Sequence, residues 1–335
     1  MAAFISTGTD RRRRPPRWVA AAAFAAVLAL SSCGASTAGS GVAASTAPGG
    51  SAQHDVSGLV DVGGGRQIYT ECRGEGSPTV VLISGKGAGA EDWFDVLDPA
   101  DPAHTAPGDD LPFGADVHRS DDAVLPSVAR FTRVCTYDRP DVRDGEDVTT
   151  PRPQPHTVDF DVDDLHALLG ALGEKGPYVL VPHSYAGLIT TLFARTYPDE
   201  VAGLVMVDTA TPLIEQVVSP AKLANWDASN ATTSPESREG VQLNDAFARI
   251  VAAPPMPAVP AVVLSADKPW RFDRLPPESD TATMVNFDDW TTAQNLLAAD
   301  LDADHVTETH SGHHIYLYSP ALVVNAIRTV VDEVR

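Results

Sequence analysis

Cysteine is scarce in this chain, with three among 335 residues. None stands at the spacing of a zinc finger or ribbon, so a cysteine-built metal centre is not expected. Cations are few as well: 24 Lys and Arg face 45 Asp and Glu, for a net charge of −21. After residue 57 no basic cluster appears. A nucleic-acid partner needs such a cluster to meet the phosphate charges, which argues against that class of partner. Long apolar runs are missing too. The longest stretch, the alanine-rich 13 residues from Trp18 to Leu30, falls short of the roughly 20 that a membrane-crossing helix needs. Acidity of this order favours solubility and says little about fold.

The amino terminus does carry a sorting pattern. Arg11 to Arg14 and Arg17 precede the apolar stretch, which is the order of a secretory signal. Leu30-Ser-Ser-Cys33 closes that stretch and resembles the lipobox of bacterial lipoproteins. The resemblance implies cleavage before Cys33, lipidation of Cys33, and a mature protein held at the extracytoplasmic face of a membrane. The alternative is an ordinary signal peptide with an incidental cysteine. Four successive arginines also suggest twin-arginine export, but the apolar residues that follow such a pair are absent. Residues 34–57 are mostly Gly, Ala, Ser and Thr, the composition of a flexible tether. The chain thus divides into a signal segment 1–32, a lipidated tether 33–57 and a folded body 58–335. Losing residues 1–32 removes five arginines and one aspartate and leaves a net charge of about −25. With Cys33 assigned to lipid, Cys72 and Cys135 remain as an even pair in an oxidising compartment, either bonded or as two buried thiols. A bond there closes a long loop and contributes roughly 4 kcal/mol.

The folded body is long enough for one large α/β domain. Leu59 to Val62 and Gln67 to Cys72 flank Gly63-Gly64-Gly65 and predict a hairpin. Thr79 to Ile83, Phe131 to Tyr137, Tyr178 to Val181, Val201 to Val207, Ala261 to Leu264 and Val306 to Thr309 predict further strands. Fully apolar runs of this length suit strands buried on both faces of a parallel sheet. Val158, Val162, Leu165, Leu169 and Leu172 recur at helical spacing, with Gly173 as the stop. Ser319-Pro320 opens a last helix with Val323, Ile327, Val330 and Val334 on one face. Alternating units imply a mostly parallel, doubly wound sheet with its chemistry at the carboxyl ends of the strands. Two insertions interrupt the alternation. Residues 87–128 are rich in Asp and Pro. Residues 210–258 hold Leu213, Ile214, Val217, Leu223, Trp226, Phe247 and Ile250, which predicts a small helical lid whose apolar side chains line an acyl pocket or form the lid's own core.

Ser184 is the candidate nucleophile. It stands between the strand Tyr178–Val181 and a helix-like stretch, with Ala186 and Gly187 behind it. A serine hydroxyl needs exposure and a neighbouring base to attack. A strand-to-helix elbow gives the exposure and adds helix N-terminal N–H groups for an oxyanion. Pro182 occupies the place of the first glycine in G-x-S-x-G. Among ten histidines, His313 in Ser311-Gly-His-His-Ile315 is best placed as general base, because it follows the last strand at the same sheet edge. His183 is expected to pack away from the site, His166 to be structural and His314 to support. His305, His310, His313 and His314 match no familiar metal spacing. Asp208, at the end of a core strand, is the preferred acid, and Asp267 after the next strand is the alternative. The N–H groups of Tyr185 and of Lys86, in Ser84-Gly85-Lys86-Gly87, are candidate oxyanion donors.

Several segments together carry a wider resemblance. They are Pro78-Thr-Val-Val-Leu-Ile-Ser-Gly-Lys-Gly87, Arg133-Val-Cys-Thr-Tyr-Asp-Arg139, Gly176-Pro-Tyr-Val-Leu-Val-Pro-His-Ser-Tyr-Ala-Gly187, Tyr197 through Asp208, and Ser311-Gly-His313. Over about residues 58–335 the chain resembles the α/β-hydrolase superfamily. The resemblance implies an α/β-hydrolase fold, Ser184 as nucleophile and His313 as base. In many members the acid follows the strand before Asp267, but the usual count lands nearer Pro269, which favours Asp208. The fold also implies adjacent strands for Cys72 and Cys135, which favours a disulfide. The expected activity is hydrolysis of carboxylic esters through an acyl-enzyme, on a small-molecule substrate and without metal or cofactor. The alternatives are an aminopeptidase-like amide hydrolase and a catalytically silent ligand-binding lipoprotein. An epoxide hydrolase is disfavoured, because those members carry an aspartate where Ser184 stands.

Overall fold

Short apolar runs between glycine, proline and polar turns set the strands. The computed structural model describes residues 54–97, 117–143, 145–233, 238–269 and 280–335. The signal segment, Cys33 and the tether through residue 53 lie outside the described residues, as do 98–116 of the first insertion and 234–237 of the second. No helix among the described residues is long and apolar enough to cross a membrane.

β1 (Val56–Gly63) and β2 (Arg66–Arg73) form the expected hairpin. Gly63, Gly64 and Gly65 turn it at φ of 85°, 64° and 76°, a conformation open to glycine at no steric cost. β1 begins two residues ahead of the expected domain edge, because Val56 and Ser57 already pair with Cys72 and Glu71. β3 (Val80–Ile83) leads to a 3-10 turn over Ala90–Phe94. β4 (Asp95–Leu97) and β5 (Val117–Arg119) then pair as a small antiparallel ribbon, and α1 (Val124–Val128) follows. β6 (Val134–Tyr137) is shorter than the predicted strand from Phe131. The N–H groups of Phe131 and Thr132 still return to the Val128 carbonyl, in the turn that leaves α1.

The alternation then runs as expected. α2 (Val158–Leu172) stops at Gly173, at φ 69°. β7 (Tyr178–Pro182), α3 (Ala186–Thr196) and β8 (Val201–Val207) follow. The second insertion folds into a 3-10 turn over Pro212–Gln216, α4 (Pro220–Ala231) and α5 (Leu243–Val251). The chain finishes with β9 (Ala261–Leu264), α6 (Phe287–Asp300), β10 (Asp304–Val306), α7 (Ile315–Tyr318) and α8 (Pro320–Glu333). β10 falls two residues before the predicted strand, since Asp304 to Val306 are the residues that pair with Val262 to Leu264. α6 was not predicted. Its apolar positions are sparse, and its signal was the Asn286–Asp289 capping box.

The strands form one eight-stranded sheet in the order β1-β2-β6-β3-β7-β8-β9-β10. β2 is antiparallel to both of its neighbours, β1 and β6, and the remaining pairs run parallel. Residues alternate between its faces. Val81, Ile83, Leu180, Leu204 and Met206 meet α2, α3, α5 and α6. Val80, Leu82, Val179, Val181 and Val205 meet α1, α7 and α8. Each such side chain contributes about 1.5–3 kcal/mol by leaving water. Cys72 and Cys135 are register partners on β2 and β6 and are joined as a disulfide, with Cα atoms 4.0 Å apart.

Candidate active site

β7 hands the chain to α3 through a single strained residue. Ser184 sits at φ +54°, a region L-residues rarely occupy. Neighbouring strands hold it there. The Ala210 N–H donates to the Ser184 carbonyl at 2.8 Å, and the His183 N–H to the Ile83 carbonyl at 2.9 Å. Strand and helix pass so close that a Cβ on Gly187 would meet Thr209 Cβ and the Ala210 carbonyl oxygen at 2.5 Å. A Cβ on Gly85 would lie 2.9 Å from Ser184 Cβ. Pro182 does not disturb this geometry. It is the last residue of β7, so its missing N–H interrupts no later pairing.

The polar chain runs inward from that serine. The Ser184 hydroxyl lies 2.9 Å from His313 Nε2, and His313 Nδ1 lies 2.6 Å from Asp208 Oδ2. With Nδ1–H donated to the carboxylate, Nε2 keeps its lone pair for the serine proton. Asp208 directly follows β8, has no exposed surface, and accepts the Ala266 N–H on its other oxygen at 2.9 Å. Its carboxylate is thus doubly hydrogen-bonded, as a buried charge must be.

Asp267 serves a different contact. Its carboxylate accepts the N–H groups of His310 and Ser311, both at 3.0 Å. It anchors the loop that carries His313 rather than the imidazole. His183 anchors the same loop from below, donating Nε2–H to the His313 carbonyl at 2.9 Å. Burial, then the neighbouring rings of His313 and His314, hold the His183 pKa well below the ordinary value, so it stays neutral. Burial does the same to His314. His166 stacks on Tyr197, far along α3. His305 bonds to Ser265 Oγ at 2.8 Å and His310 is largely exposed. His305, His310, His313 and His314 form no ligand cluster among the described residues.

Tyr185 follows the serine, and Lys86 lies in the turn that touches it. Among the described residues neither N–H group donates to another acceptor. Burial lowers the Lys86 ammonium pKa, with Glu239 opposing. Beneath both donors lies a buried ionic cluster that sequence reasoning missed. Arg139, just past β6, donates to the carbonyls of Ser84 (2.6 Å) and Gly85 (2.5 Å) and to Glu239 (2.6 and 3.0 Å). Tyr-Asp-Arg139 was visible as a motif. Glu239, in the second insertion, carried no signal.

A run of aromatics from α6 and the second insertion continues from the site. Trp290 on α6 meets the His313 ring edge-on at 5.7 Å, Trp226 on α4 meets Trp290 at 6.0 Å, and Phe247 on α5 meets Trp226 at 5.9 Å. Ile214, Phe247 and Ile250 are buried, while Leu213, Val217, Leu223 and Trp226 pack partly buried against them. Leu213 and Ile250 also border a separate cavity of about 90 Å³ beside Thr191 and Arg195, further along α3.

Residues 80–326 match the model of the alpha/beta hydrolase family. The chain belongs to the alpha/beta hydrolase family. The matched span contains Ser184, Asp208 and His313 together. Among curated proteins, this chain is 42% identical over 82 residues to Lipase LipV of Mycobacterium tuberculosis, 23% of this chain and 31% of that protein. It is 26% identical over 212 residues to the probable transporter efuK of Hormonema carpetanum, 57% of this chain and 26% of that protein. The chain thus spans a quarter to a third of the length of these relatives. A solved structure of a lipase candidate from Acinetobacter baumannii aligns at TM-score 0.51 and 17% identity, over 84% of this chain and 92% of that chain. That is a likeness of fold.

Proposed function

We propose that this alpha/beta hydrolase is a serine esterase, exported and anchored by lipid on Cys33. The observation that carries the reading is the continuous hydrogen-bonded chain from Ser184 Oγ to His313 to buried Asp208, at 2.9 and 2.6 Å. In the reaction His313 takes the Ser184 proton as Oγ attacks the ester carbonyl. Asp208 holds the imidazole tautomer and balances the imidazolium. The N–H groups of Tyr185 and Lys86 receive the oxyanion. Collapse expels the alcohol, protonated by His313, and leaves an acyl group on Ser184. Water, deprotonated by His313, then releases the acid. No step needs a metal. The likeness over 82 residues to Lipase LipV and the run of aromatics Phe247, Trp226 and Trp290 toward His313 support an apolar acyl group over a peptide.

The test is labelling of the purified protein by a fluorophosphonate, with the adduct located by mass spectrometry, followed by a panel of esters and amides of graded chain length. We expect the adduct on Ser184, loss of labelling in Ser184→Ala, and a fall in ester turnover of at least about 10⁴-fold in that variant. Faster amide than ester turnover would replace esterase by amidase. An unlabelled, folded protein would leave a binding lipoprotein instead. For the anchor, Cys33→Ala is expected to move the protein from the membrane to the soluble fraction; unchanged membrane retention would remove the lipid from the account.

A further inference from the structure

Two N–H groups only form an oxyanion hole if something fixes their direction. On the Lys86 side, that something is in view. The Gly85–Lys86 peptide is trans, so its C=O and N–H point to opposite sides. Arg139 takes the C=O from below at 2.5 Å, and takes the preceding carbonyl, of Ser84, at 2.6 Å. The Lys86 N–H is therefore turned away from the guanidinium, on the loop whose Gly85 abuts Ser184. A positive charge on the carbonyl oxygen also draws electrons through the amide and leaves the N–H a stronger donor.

The guanidinium is itself held. Glu239 grips it with both carboxylate oxygens, and Glu239 Oε2 accepts the Gly87 N–H at 2.6 Å, one peptide further along the same turn. His156 lies between Glu239, at 3.7 Å, and Asp161, at 3.0 Å. Its other nitrogen faces Gln154 Oε1 at 3.1 Å. Gln154 Oε1 also receives the Gly240 N–H at 2.9 Å, which fixes the amide's orientation. Both imidazole nitrogens thus face acceptors, the arrangement that suits the doubly donating imidazolium. Asp161 in turn accepts the Tyr185 hydroxyl at 2.7 Å. Tyr185 supplies the second oxyanion N–H, and its ring lies over the Arg139 guanidinium at 5.6 Å. Arg139, Glu239, His156, Asp161 and Tyr185 are all buried.

We infer that Arg139, Glu239, His156 and Asp161 are positioning residues for the oxyanion hole, a charge-balanced frame that aims Lys86 N–H and Tyr185 N–H at one point. Arg139 and Glu239 are its core. The inference rests on the serine-hydrolase reading above, since it concerns the oxyanion of that reaction. Glu239 comes from the lid insertion, so the frame also ties the lid's base to the catalytic loop.

The test uses Arg139→Lys and Glu239→Gln in the purified protein. Lysine keeps the charge but is a point donor that cannot span two carbonyls and a carboxylate. Glutamine keeps the shape but cannot accept from both Arg139 and Gly87 as a carboxylate does. Ester kcat and KM are measured beside the inhibition constant of a boronic acid, which forms a tetrahedral adduct on serine, and fluorophosphonate labelling of the unaltered enzyme is run in parallel. We expect kcat to fall about 10- to 100-fold, KM to stay within about threefold, and the boronate constant to rise by the same factor as kcat falls. A merely structural role would lower the folded fraction and leave the boronate constant of the folded enzyme unchanged. If both variants fold and keep kcat and boronate affinity, the frame is overturned while Ser184 labelling still stands. If kcat falls and boronate affinity does not, the residues act elsewhere than on the oxyanion and the inference is likewise overturned. If the unaltered enzyme is not labelled at Ser184, the serine-hydrolase reading falls and takes the frame with it. Should one variant not fold, the other decides by the same ratios.

Discussion

At Ser184 and Asp208 the protein sets local preference against site geometry. Ser184 and Asp208 both hold positive φ, +54° and +45°, at a cost of order 1–3 kcal/mol each. Such strain persists where neighbours over-determine it, and here the ends of β3, β8 and β9 all bond to these residues or their neighbours. The two candidate acids now separate by contact. Asp208 touches the His313 ring; Asp267 instead accepts backbone N–H groups of the His313 loop and lies near Lys268 and the His310 ring. Asp208→Asn presents an amide to Nδ1 and favours the wrong tautomer, so kcat on an ester is expected to fall about 10³- to 10⁴-fold with little change in melting temperature. Asp267→Asn keeps one acceptor for the His310 and Ser311 N–H groups, and a loss of about tenfold or less is expected. Steady-state kinetics on both variants checks the pair. Equal losses would mean that the buried carboxylate is not the partner the base depends on.

At the scale of elements, β2 and β6 are the strands that chemistry joins twice, by ladder hydrogen bonds and by Cys72–Cys135. The bond spans a separation of 63 residues, and constraining a loop of that length in the unfolded chain is worth about 4 kcal/mol. Reduction, or Cys72→Ala with Cys135→Ala, is expected to lower unfolding stability by about 2–4 kcal/mol in urea melts while leaving KM unchanged, since the bond lies away from the serine edge. An unchanged midpoint would show that the ladder alone fixes these strands. The same elements show what a sequence can display. Strands β3, β7, β8 and β9 were legible because each is a short apolar run buried on both faces, and the elbow was legible because Ala186 and Gly187 are forced by backbone proximity. β10 was misplaced because Asp304 and His305 lack the apolar signature, their register coming from pairing with β9. α6 was hidden because tertiary packing, on Trp290, Ala293 and Leu297, outweighs its weak periodicity. Glu239 was invisible for a different reason. Its role arises from a partner, Arg139, a hundred residues away in sequence, and no local pattern encodes that meeting.

Over the whole molecule, buried histidines pull stability in opposite directions with pH. His156 is surrounded by Asp161 from α2, Glu239 from the lid insertion, Gln154 from its own loop, and Arg139 from the segment after β6. Burial and Arg139 lower its pKa, the two carboxylates raise it, and the carboxylates win. A raised folded pKa means that its stabilisation is complete below the ordinary histidine value of about 6.5 and is lost as pH climbs through the higher folded value. His183 and His314 behave in reverse. Burial depresses both, so their contribution is complete above about 6.5 and is lost as pH falls below it. Glu239, held low chiefly by Arg139 against the opposing effect of burial, adds to the acid loss only well below that range. The molecule is thus expected to be most stable near neutral pH, with melting temperature falling on both sides. Replacing His156 by Gln removes the charge that the alkaline limb titrates, so the variant should lose stability at pH 6 and show a flatter decline toward pH 8.5. Thermal melts of both proteins across pH 5 to 8.5 measure this directly. Because His156 sits where the lid insertion, α2 and the segment after β6 converge, the alkaline limb should appear in activity as well, through the oxyanion frame. Parallel alkaline decline in both proteins would mean that His156 is not the group responsible.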